Sequence, residues 1–516
     1  MSYLSLYFLL KTGLYYAHSI GFHWVPNLLL AAVAFWPLPP GRRQRLRPWL
    51  LWPVAMALLY HDSYLPTPAR VWSQLGALSD FSADYLLELV HRTTSPTTLM
   101  ALALAVLVYT ALARWLRFAT LALLGILSVP LLAALGPSAA APTAAASVAG
   151  SHSAPAANSP DAQLQVFYHR ERQRKLVFPA SVAPPAFDLI VLHVCSLSWD
   201  DLDFVGERNA PLLKRFDVLF SHFNTAASYS GPAAFRVFRG NCGQSAHAPL
   251  YQATDPGCYT FPALEKAGFT TNGLLNHNGL FDSFARIVEH EAGLTGRLQS
   301  NRNASVHMQS FDGTPVYDDY GLLSQWWTQR QRQGSAPVAL YYNTISLHDG
   351  NRLPGNPSVN SLATYKPRVH KLLADFDRFV SQLEASGRPV VLVLLPEHGA
   401  ALRGDRLQIA GLREIPDPKI TLVPAAIKLI GMKTPAAAGP VLVTQDMSYF
   451  GLNALLADLM RDNPFAPGGI ALTERLQSLQ TTPFVAENDD VVLLRQPSGD
   501  YVMKSNEGTW VSYGKP

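Results

Sequence analysis

The chain has 516 residues, of which 48% are hydrophobic and only 15% are charged, and its formal net charge is +4. This length exceeds that of one ordinary domain, and the low charged content favours a membrane protein. We predict no nucleic-acid partner. The apolar bias is concentrated before residue 136, so we expect a membrane-embedded first part and a water-exposed second part.

Five membrane spans are predicted in the first part, residues 1–136. By the positive-inside rule, arginine-bearing loops after the second and fourth spans are cytoplasmic. This requires a cytoplasmic amino terminus and places everything after residue 136 outside the cytoplasm. The apolar runs of spanning or near-spanning length are residues 3–22, 24–40, 49–65, 97–114 and 116–136. The loop residues are Arg42, Arg43, Arg45, Arg47, Arg114 and Arg117.

An amphipathic helix is predicted between the third and fourth spans. Apolar side chains recur there at helical spacing beside acidic ones. Two interpretations remain open, a helix lying on the outer membrane surface and a loop helix packed on the bundle of spans. The apolar positions are Val71, Trp72, Leu75, Leu78, Tyr85, Leu86 and Leu89, and the acidic ones are Asp80, Asp84 and Glu88.

The second part of the chain predicts a linker followed by a large α/β domain. Residues 137–164 are rich in alanine, proline and serine and could form little core, which is typical of a linker. In residues 165–516, strand-like runs alternate with helix-like stretches such as 360–386. This alternation predicts a doubly wound, mainly parallel sheet, with a carboxyl-terminal hairpin appended to it. The strand-like runs are 187–194, 269–275, 337–345, 389–395 and 420–430.

Polar side chains directly follow two of these strand-like runs. Cys195 follows FDLIVLHV, and Glu397 and His398 follow PVVLVLLP. Ligands of open α/β sheets bind outside the carboxyl ends of the strands, so these side chains can meet in one crevice. Ser230, in a Ser-Gly turn before a helix-like run, adds a hydroxyl. The four groups predict a tetrahedral zinc site in which the serine is both ligand and nucleophile.

The three cysteines divide into two types. Cys242 and Cys258 enclose a short loop rich in glycine and proline, and outside the cytoplasm we expect them to form a disulfide. Cys195 is left over, and a lone cysteine is commonly a small buried hydrophobic residue. Its position at a strand end favours a metal ligand, because coordination protects a thiolate in an oxidising space.

The other predicted ligands also have structural alternatives. Glu397 and His398 could begin a helix, with the carboxylate near the positive end of the helix dipole. Ser230 could serve only as a helix N-cap. The uninterrupted strand before Glu397 and the glycine after His398 favour zinc ligands. A serine at a helix amino terminus is also well placed to act as a nucleophile, because backbone N–H groups stabilise phosphoryl oxygens there.

Four motifs together resemble one enzyme family. VCSLSWDD, the Tyr-Ser-Gly turn with its downstream cysteine pair, NTISLHDG and PEHGAALRGDR are similar to those of the cellulose phosphoethanolamine transferases, members of the alkaline phosphatase superfamily. The resemblance covers nearly the whole chain. The metal-site cysteine is the discriminating residue, because the related lipid A and lipoteichoic acid enzymes carry a carboxylate there and a threonine nucleophile.

The resemblance implies roles for individual residues and an alkaline-phosphatase-like fold. It implies that Cys195, Glu397 and His398 hold one zinc ion and that the nucleophile Ser230 completes the coordination. Its family positions also include a disulfide between the downstream cysteines. The stretch around Arg403 fits the motif as well. Residues implied to line the substrate site are Tyr229, His348 and Arg413.

The reaction implied by the resemblance moves phosphoethanolamine from phosphatidylethanolamine to a cellulose hydroxyl, expected to be O6 of glucose. A covalent phosphoethanolamine-serine enzyme is the intermediate. The implied setting is the bacterial inner membrane, with a periplasmic catalytic domain and the cellulose synthase complex as partner. Two alternatives remain open: transfer or phosphodiester cleavage on lipid A or another glycan, and an inert membrane subunit of a polysaccharide synthase.

Overall fold

A computed structural model divides the chain into two compact units. The first contains residues 1–68, 89–154 and 404–409, and the second contains residues 69–88, 155–403 and 410–516. The structure describes residues 3–17, 19–39, 41–63, 68, 72, 76, 80–93, 96–135, 159–179, 185–355, 360–405, 407–432, 439–505 and 508–514. Most of the predicted linker, residues 137–158, lies outside the described residues, and the predicted domain boundaries stay a prediction.

The first unit is helical. Small and apolar side chains form its core, with Phe8, Ala31, Ala122 and Ile126 fully buried. Its helices are α1 (Leu4–Tyr16), α2 (Trp24–Phe35), α3 (Arg42–His61), α5 (Pro96–Leu112) and α6 (Phe118–Leu135). Helix α4 (Ala83–Thr93) belongs to this unit only from residue 89 onward.

The prediction of a multi-span membrane domain is wrong. Within the described ranges, no helix combines the length and the apolar character that a bilayer crossing requires. The first two predicted spans contain helices of only 13 and 12 residues, about 20 Å or less at 1.5 Å per residue, against a hydrocarbon core of about 30 Å. The third run belongs to a helix whose first six residues include four arginines and which contains Pro48 and Pro53. The prediction of a multi-pass inner-membrane protein with a cytoplasmic amino terminus depended on these spans, so it is wrong as well.

The second unit is built on a seven-stranded sheet with the order β11-β2-β10-β8-β1-β7-β4. Only β10 runs antiparallel to its neighbours, so the predicted mainly parallel sheet is confirmed. The strands are β1 (Asp188–Val194), β2 (Val218–Phe220), β3 (Phe223–Asn224), β4 (Thr270–Leu275), β5 (Val306–Gln309), β6 (Pro315–Tyr317), β7 (Val338–Thr344), β8 (Val390–Pro396), β9 (Leu422–Val423), β10 (Ala426–Ile430), β11 (Val441–Val443), β12 (Val485–Glu487), β13 (Val491–Arg495), β14 (Tyr501–Ser505) and β15 (Trp510–Gly514).

Helices pack on both faces of this sheet, which is the doubly wound arrangement. Alternate residues of β1 serve two cores: Val191 packs in a cluster with Phe238, and Ile190 packs in a cluster with Trp327 and Phe376. The helices are α7 (Pro160–Gln173), α8 (Trp199–Val205), α9 (Pro211–Lys214), α10 (Ser230–Phe238), α11 (Thr260–Lys266), α12 (Phe284–Glu291), α13 (Asp319–Gln331), α14 (Tyr365–Ala385), α15 (Pro418–Thr421), α16 (Tyr449–Arg461) and α17 (Leu472–Arg475). Short 3₁₀ helices cover Ala248–Tyr251, Pro256–Cys258, Phe281–Ser283, Ser361–Thr364 and Leu476–Ser478.

The three central strands β1, β7 and β8 are buried along their whole length. In the parallel register Val194 pairs with Thr344 on one side and with Pro396 on the other. The carboxyl ends of the three strands therefore lie level. Residues that immediately follow β1 and β8 are brought together by this register alone.

Two predicted elements differ from the structure. The run 420–430 is not one strand, because Pro424 separates β9 from β10 and proline cannot donate to a sheet ladder. The carboxyl-terminal hairpin forms as β13 and β14, but it belongs to a separate four-stranded sheet, β12 to β15, rather than to the central one. The central sheet is completed by β10 and the short strands β2 and β11 instead.

The predicted amphipathic helix is observed in part as α4. Val71, Leu75 and Leu78 lie outside the described residues. Tyr85 and Glu88 are buried, and their partners belong to the α/β unit, since the Tyr85 hydroxyl bonds to Asp349. Neither interpretation of this helix included packing on the α/β domain.

Asp188 joins the amino ends of the three central strands. Its fully buried carboxylate accepts hydrogen bonds from Arg330, at 2.9 Å, and from the Val338 amide, at 2.8 Å, and it also pairs with Arg388. We expect Asp188→Ala to lower the free energy of unfolding by about 3–5 kcal/mol, because it leaves buried guanidinium charge uncompensated. Urea denaturation followed by circular dichroism measures this loss.

A matched control for that change is Asp203→Ala, because Asp203 pairs with Arg208 at the surface, where both side chains are nearly half exposed. It should cost less than about 1 kcal/mol. Equal losses for the two variants would contradict the role given to the buried carboxylate.

Candidate metal and nucleophile site

The candidate site lies at the carboxyl ends of β1 and β8 and at the amino terminus of α10. The backbone amide of Cys195 donates to the Thr344 carbonyl at 3.0 Å, and that of Glu397 donates to the Val194 carbonyl at 2.8 Å. Ser230 is the first residue of α10. The strand register and one helix start thus bring the predicted ligands together.

The four predicted ligand side chains have the spacing of a metal centre. Cys195 Sγ lies 3.4 Å from Ser230 Oγ and 3.9 Å from His398 Nε2. His398 Nε2 lies 3.3 Å from Ser230 Oγ and 3.8 Å from Glu397 Oε2. Bonds of about 2.0–2.3 Å to a tetrahedral zinc ion would place neighbouring ligand atoms roughly 3.3–3.6 Å apart. The observed distances are close to these values.

The donor chemistry of the cluster also fits a cation. Cys195, Glu397 and His398 are fully buried, and Glu397 Oε2 has no hydrogen-bond partner among the described residues. The His398 Nδ1–H group donates to the Gly399 carbonyl at 2.9 Å, so Nε2 presents its lone pair to the cluster. A buried carboxylate oxygen and an imidazole nitrogen both need an electrophilic partner here.

Burial and neighbouring charges shift the acidities of these groups. Burial, followed by the charge of Glu397, raises the pKa of the Cys195 thiol to about 12. Burial acts to raise the pKa of Glu397, but nearby His193, His398 and Ser230 outweigh it and lower that pKa to about 2. An ionised carboxylate beside a thiol is the arrangement in which a bound cation favours the thiolate.

Two residues behind the cluster, His193 and Asn343, orient Glu397. The Asn343 Nδ2 group donates to Glu397 Oε1 at 2.6 Å, and His193 Nδ1 lies 3.2 Å from the same oxygen. Tyr341 in turn contacts His193, with its hydroxyl 2.8 Å from Nδ1. The sequence analysis did not predict a role for His193 or Asn343. The available signal was that each is a polar side chain inside an otherwise apolar strand.

Tyr229 and Arg413 lie beside the cluster. The Arg413 guanidinium stands over the Tyr229 ring at 5.3 Å, and its Nη1 lies 3.4 Å from the hydroxyl of Ser196, the neighbour of Cys195. Arg413 Nε is buried and has no hydrogen-bond partner among the described residues. The Tyr229 hydroxyl donates to Glu414 at 2.7 Å. Because its Nε–H group has no described partner, the Arg413 guanidinium is suited to donate a hydrogen bond to a phosphoryl oxygen.

His348 and Arg403 occupy different surroundings. The His348 Nδ1–H group donates to the Asp349 carbonyl at 2.6 Å, and its ring stacks on Phe311. Burial, followed by the charge of Arg413, lowers the pKa of His348 to about 4. Arg403 is half-exposed, and its Nε lies 3.7 Å from Asp200, so no described contact ties it to the cluster.

A second group of metal-type side chains, in the first unit, has different geometry. His23 Nδ1 lies 2.7 Å from Asp62 Oδ1, and Lys11 Nζ lies 2.7 Å from Asp62 Oδ2. These are hydrogen-bond distances, and the lysine ammonium already neutralises the buried carboxylate. His61 completes this group at 3.4 Å from Asp62. We interpret it as an ion-pair network.

The predicted disulfide joins Cys242 to Cys258, and Cys195 is the free cysteine. The bridge closes the loop that follows α10. The Asn241 amide also donates to the Cys258 carbonyl at 3.3 Å, so backbone and side-chain links hold the same loop beside the helix that carries Ser230.

Comparison with known proteins identifies the family. The model of the BcsG N-terminal domain matches residues 4–131, and that of the BcsG C-terminal domain matches residues 144–510. The chain belongs to the BcsG family of cellulose biosynthesis proteins. The BcsG proteins of Salmonella typhimurium LT2 and Escherichia coli K12 are each 37% identical over 537 residues, which cover 99% of this chain and 95% of each relative. The family assigned from the sequence motifs is confirmed.

Solved structures with similarity to this BcsG-family chain include two proteins with 14% sequence identity to it. Lipooligosaccharide phosphoethanolamine transferase A from Neisseria meningitidis gives a TM-score of 0.43 and covers 85% of this chain and 87% of its own. An alkaline phosphatase superfamily protein from Vibrio parahaemolyticus gives a TM-score of 0.45 over 68% of this chain and 87% of its own.

Loss of the disulfide should destabilise the α/β domain without unfolding it. The bridge spans a sequence separation of 16, so replacing Cys242 and Cys258 by serine should lower the free energy of unfolding by about 3 kcal/mol, mainly through the unfolded state. Urea denaturation without reductant measures the loss, and reductant added to the unaltered protein should reproduce it. Identical unfolding midpoints for the variant and the oxidised protein would refute the expectation.

Proposed function

We propose that the protein is a metal-dependent phosphoethanolamine transferase that uses Ser230 as its nucleophile and one zinc ion as its cofactor. The observation that carries this proposal is the position of Ser230 Oγ, 3.4 Å from Cys195 Sγ and 3.3 Å from His398 Nε2. A partly exposed serine hydroxyl in contact with a buried thiol and a buried imidazole, at a helix amino terminus, is typical of an activated nucleophile that a substrate can reach.

Cys195, Glu397 and His398 would hold the zinc ion, with Ser230 as the fourth ligand. When bound, the ion supplies positive charge that favours the thiolate and the serine alkoxide. Asn343 and His193 fix Glu397 in place, and the Gly399 carbonyl fixes the tautomer of His398. These contacts let the chain present its ligands with little reorganisation.

The reaction proceeds in two displacements at phosphorus. In the first, a bond forms between Ser230 Oγ and the phosphorus of phosphatidylethanolamine, the bond to the diacylglycerol oxygen breaks, and diacylglycerol leaves with the serine proton. In the second, the O6 hydroxyl of a cellulose glucose forms a bond to the phosphorus, the bond between Ser230 Oγ and the phosphorus breaks, and the hydroxyl proton passes through His348 to Ser230. The covalent phosphoethanolamine-serine enzyme divides one difficult transfer into two easier ones.

Arg413, His348 and the amino terminus of α10 assist these displacements. Arg413 Nε and the Gly231 amide donate to the phosphoryl oxygens, where negative charge accumulates. Since the pKa of His348 is lowered to about 4, its imidazole is neutral near pH 7 and accepts the proton of the cellulose hydroxyl. Tyr229 orients Arg413 through the contact between its ring and the guanidinium.

Family membership supports the proposed acceptor and the proposed partner. Membership of the BcsG family supports cellulose as the acceptor and the cellulose synthase complex as the partner. The four-residue ligand cluster argues against an inert subunit, because a purely binding domain has no need of a buried thiol, carboxylate and imidazole gathered around a serine hydroxyl. Lipid A and other glycans differ only as acceptors for the same chemistry.

Two variants of the full chain separate the roles of nucleophile and metal ligand. Ser230→Ala should retain about one zinc ion because three ligands remain, but it should form no covalent adduct and transfer nothing. Cys195→Ala should lose both zinc and transfer. Metal analysis and intact mass spectrometry after incubation with phosphatidylethanolamine vesicles measure both effects.

The control for this pair is Ser381→Ala, on the exposed face of α14, which should keep zinc, adduct and transfer. Near-normal transfer by Ser230→Ala, or full zinc occupancy in Cys195→Ala, would refute the assigned roles. The acceptor is tested separately with cello-oligosaccharides and lipid A in parallel reactions. Label on lipid A alone would replace cellulose as the acceptor.

A further inference from the structure

Residues Phe81–Glu88, which include the first turns of α4, pack against the loop that carries His348. Although they precede the α/β domain by many residues in sequence, they belong to the same compact unit as that loop. The Ser82 amide donates to the Phe311 carbonyl at 2.9 Å. This segment is far from the strand ends in sequence but contacts the surroundings of the site.

Phe311 connects the segment to the His348 ring. Phe81 meets Phe311 edge-on, with ring centroids 5.6 Å apart, and Tyr85 lies 6.1 Å from it. Phe281 also meets Phe311 edge-on at 4.7 Å, and the His348 imidazole stacks on Phe311 at 4.5 Å. Aromatic pairs at these separations have preferred orientations, so the position of the segment constrains the orientation of the imidazole.

Buried polar contacts fasten the loop backbone to the same segment. The Tyr85 hydroxyl donates to Asp349 Oδ2 at 3.1 Å. Glu88, which is 1% exposed, accepts from the Ser361 amide at 2.7 Å and pairs with Arg352 at 2.7 Å. Ser361 Oγ lies 2.6 Å from Asp349 Oδ1. Two buried carboxylates are thus held by one network, which is costly to disrupt.

Arg368 and Gly350 also restrict the loop that carries His348. Arg368 Nη1 donates to the His348 carbonyl at 2.8 Å. Gly350 follows with a φ of +80°, and a Cβ atom there would lie 2.5 Å from the Phe311 Cβ atom and 2.8 Å from the Tyr85 ring. Only glycine permits this approach. The backbone that carries His348 therefore has little freedom between Arg368 and the segment.

We propose that the segment Phe81–Glu88 is a positioning element of the transfer site, in which Tyr85 and Glu88 hold the His348 loop in its working geometry. This inference rests on the proposed role of His348 in accepting the acceptor proton. No described contact joins the segment to the predicted metal ligands. Its effect is on turnover, exerted through His348.

Two conservative variants of the full chain test the inference. Tyr85→Phe removes one hydroxyl and Glu88→Gln removes one charge, and each should lower kcat by about tenfold, the effect of roughly one lost hydrogen bond. KM for the acceptor and zinc content should remain unchanged. Leu87→Ala, on the half-exposed face of the same helix, is the matched control and should keep full turnover.

A double-mutant cycle separates positioning from general destabilisation. If Tyr85 acts through His348, Tyr85→Phe should have no further effect on kcat in the His348→Ala background. The inference would be overturned if Tyr85→Phe lowered kcat tenfold both in the unaltered protein and in the His348→Ala background. It would also be overturned if kcat were unchanged in both Tyr85→Phe and Glu88→Gln.

Hydrogen exchange distinguishes a failure of this inference from a failure of the proposed function. Residues 345–352 should exchange about tenfold faster in Tyr85→Phe than in the unaltered protein, whether or not transfer is observed. Absence of transfer by the unaltered protein would refute the proposed function alone. Unchanged exchange in the variant would refute the positioning role.

Discussion

The parallel pairing of β1 with β7 on one side and with β8 on the other is the constraint on which the site depends. Cys195 and Glu397 each continue a central strand by one residue, and each is fixed by a backbone hydrogen bond to the neighbouring strand. A slip of one residue would turn every side chain to the other face. The wholly buried strands prevent this, because both faces are packed against helices, and Asp188 holds their opposite ends level.

The buried charge at these strand ends explains why the surrounding residues are polar. An ionised Glu397 deep in an apolar sheet would be unfavourable without donors, and His193 on the neighbouring strand β1 and Asn343 on β7, the strand beyond it, supply them. One carboxylate oxygen is thereby satisfied, and the other has no hydrogen-bond partner among the described residues, as the proposed zinc site requires. The two ring nitrogens of His398 also have different partners. Nδ1 donates to a backbone carbonyl, and Nε2 faces the cluster.

Much of the α/β domain could be predicted, because buried parallel strands are continuous apolar runs and ligand residues follow them directly. Pro424 was a readable signal that the run 420–430 breaks, and it was missed. His193 and Asn343 could not be assigned, since alternation does not show what a buried polar residue faces. The predicted membrane domain failed because apolar content does not fix where helices end. The packing of Tyr85 depends on tertiary contacts that no local pattern encodes.

The contact between Tyr85 and Asp349 joins residues separated by 264 positions, and this has a consequence for biosynthesis. At translation rates of about 5–20 residues per second, the segment leaves the ribosome roughly 13–50 seconds before its partner loop exists. During that interval the buried face of Phe81, Tyr85 and Glu88 has no native partner. Until the His348 loop is made, this apolar and acidic surface is therefore open to misassociation, as transiently exposed apolar surface generally is.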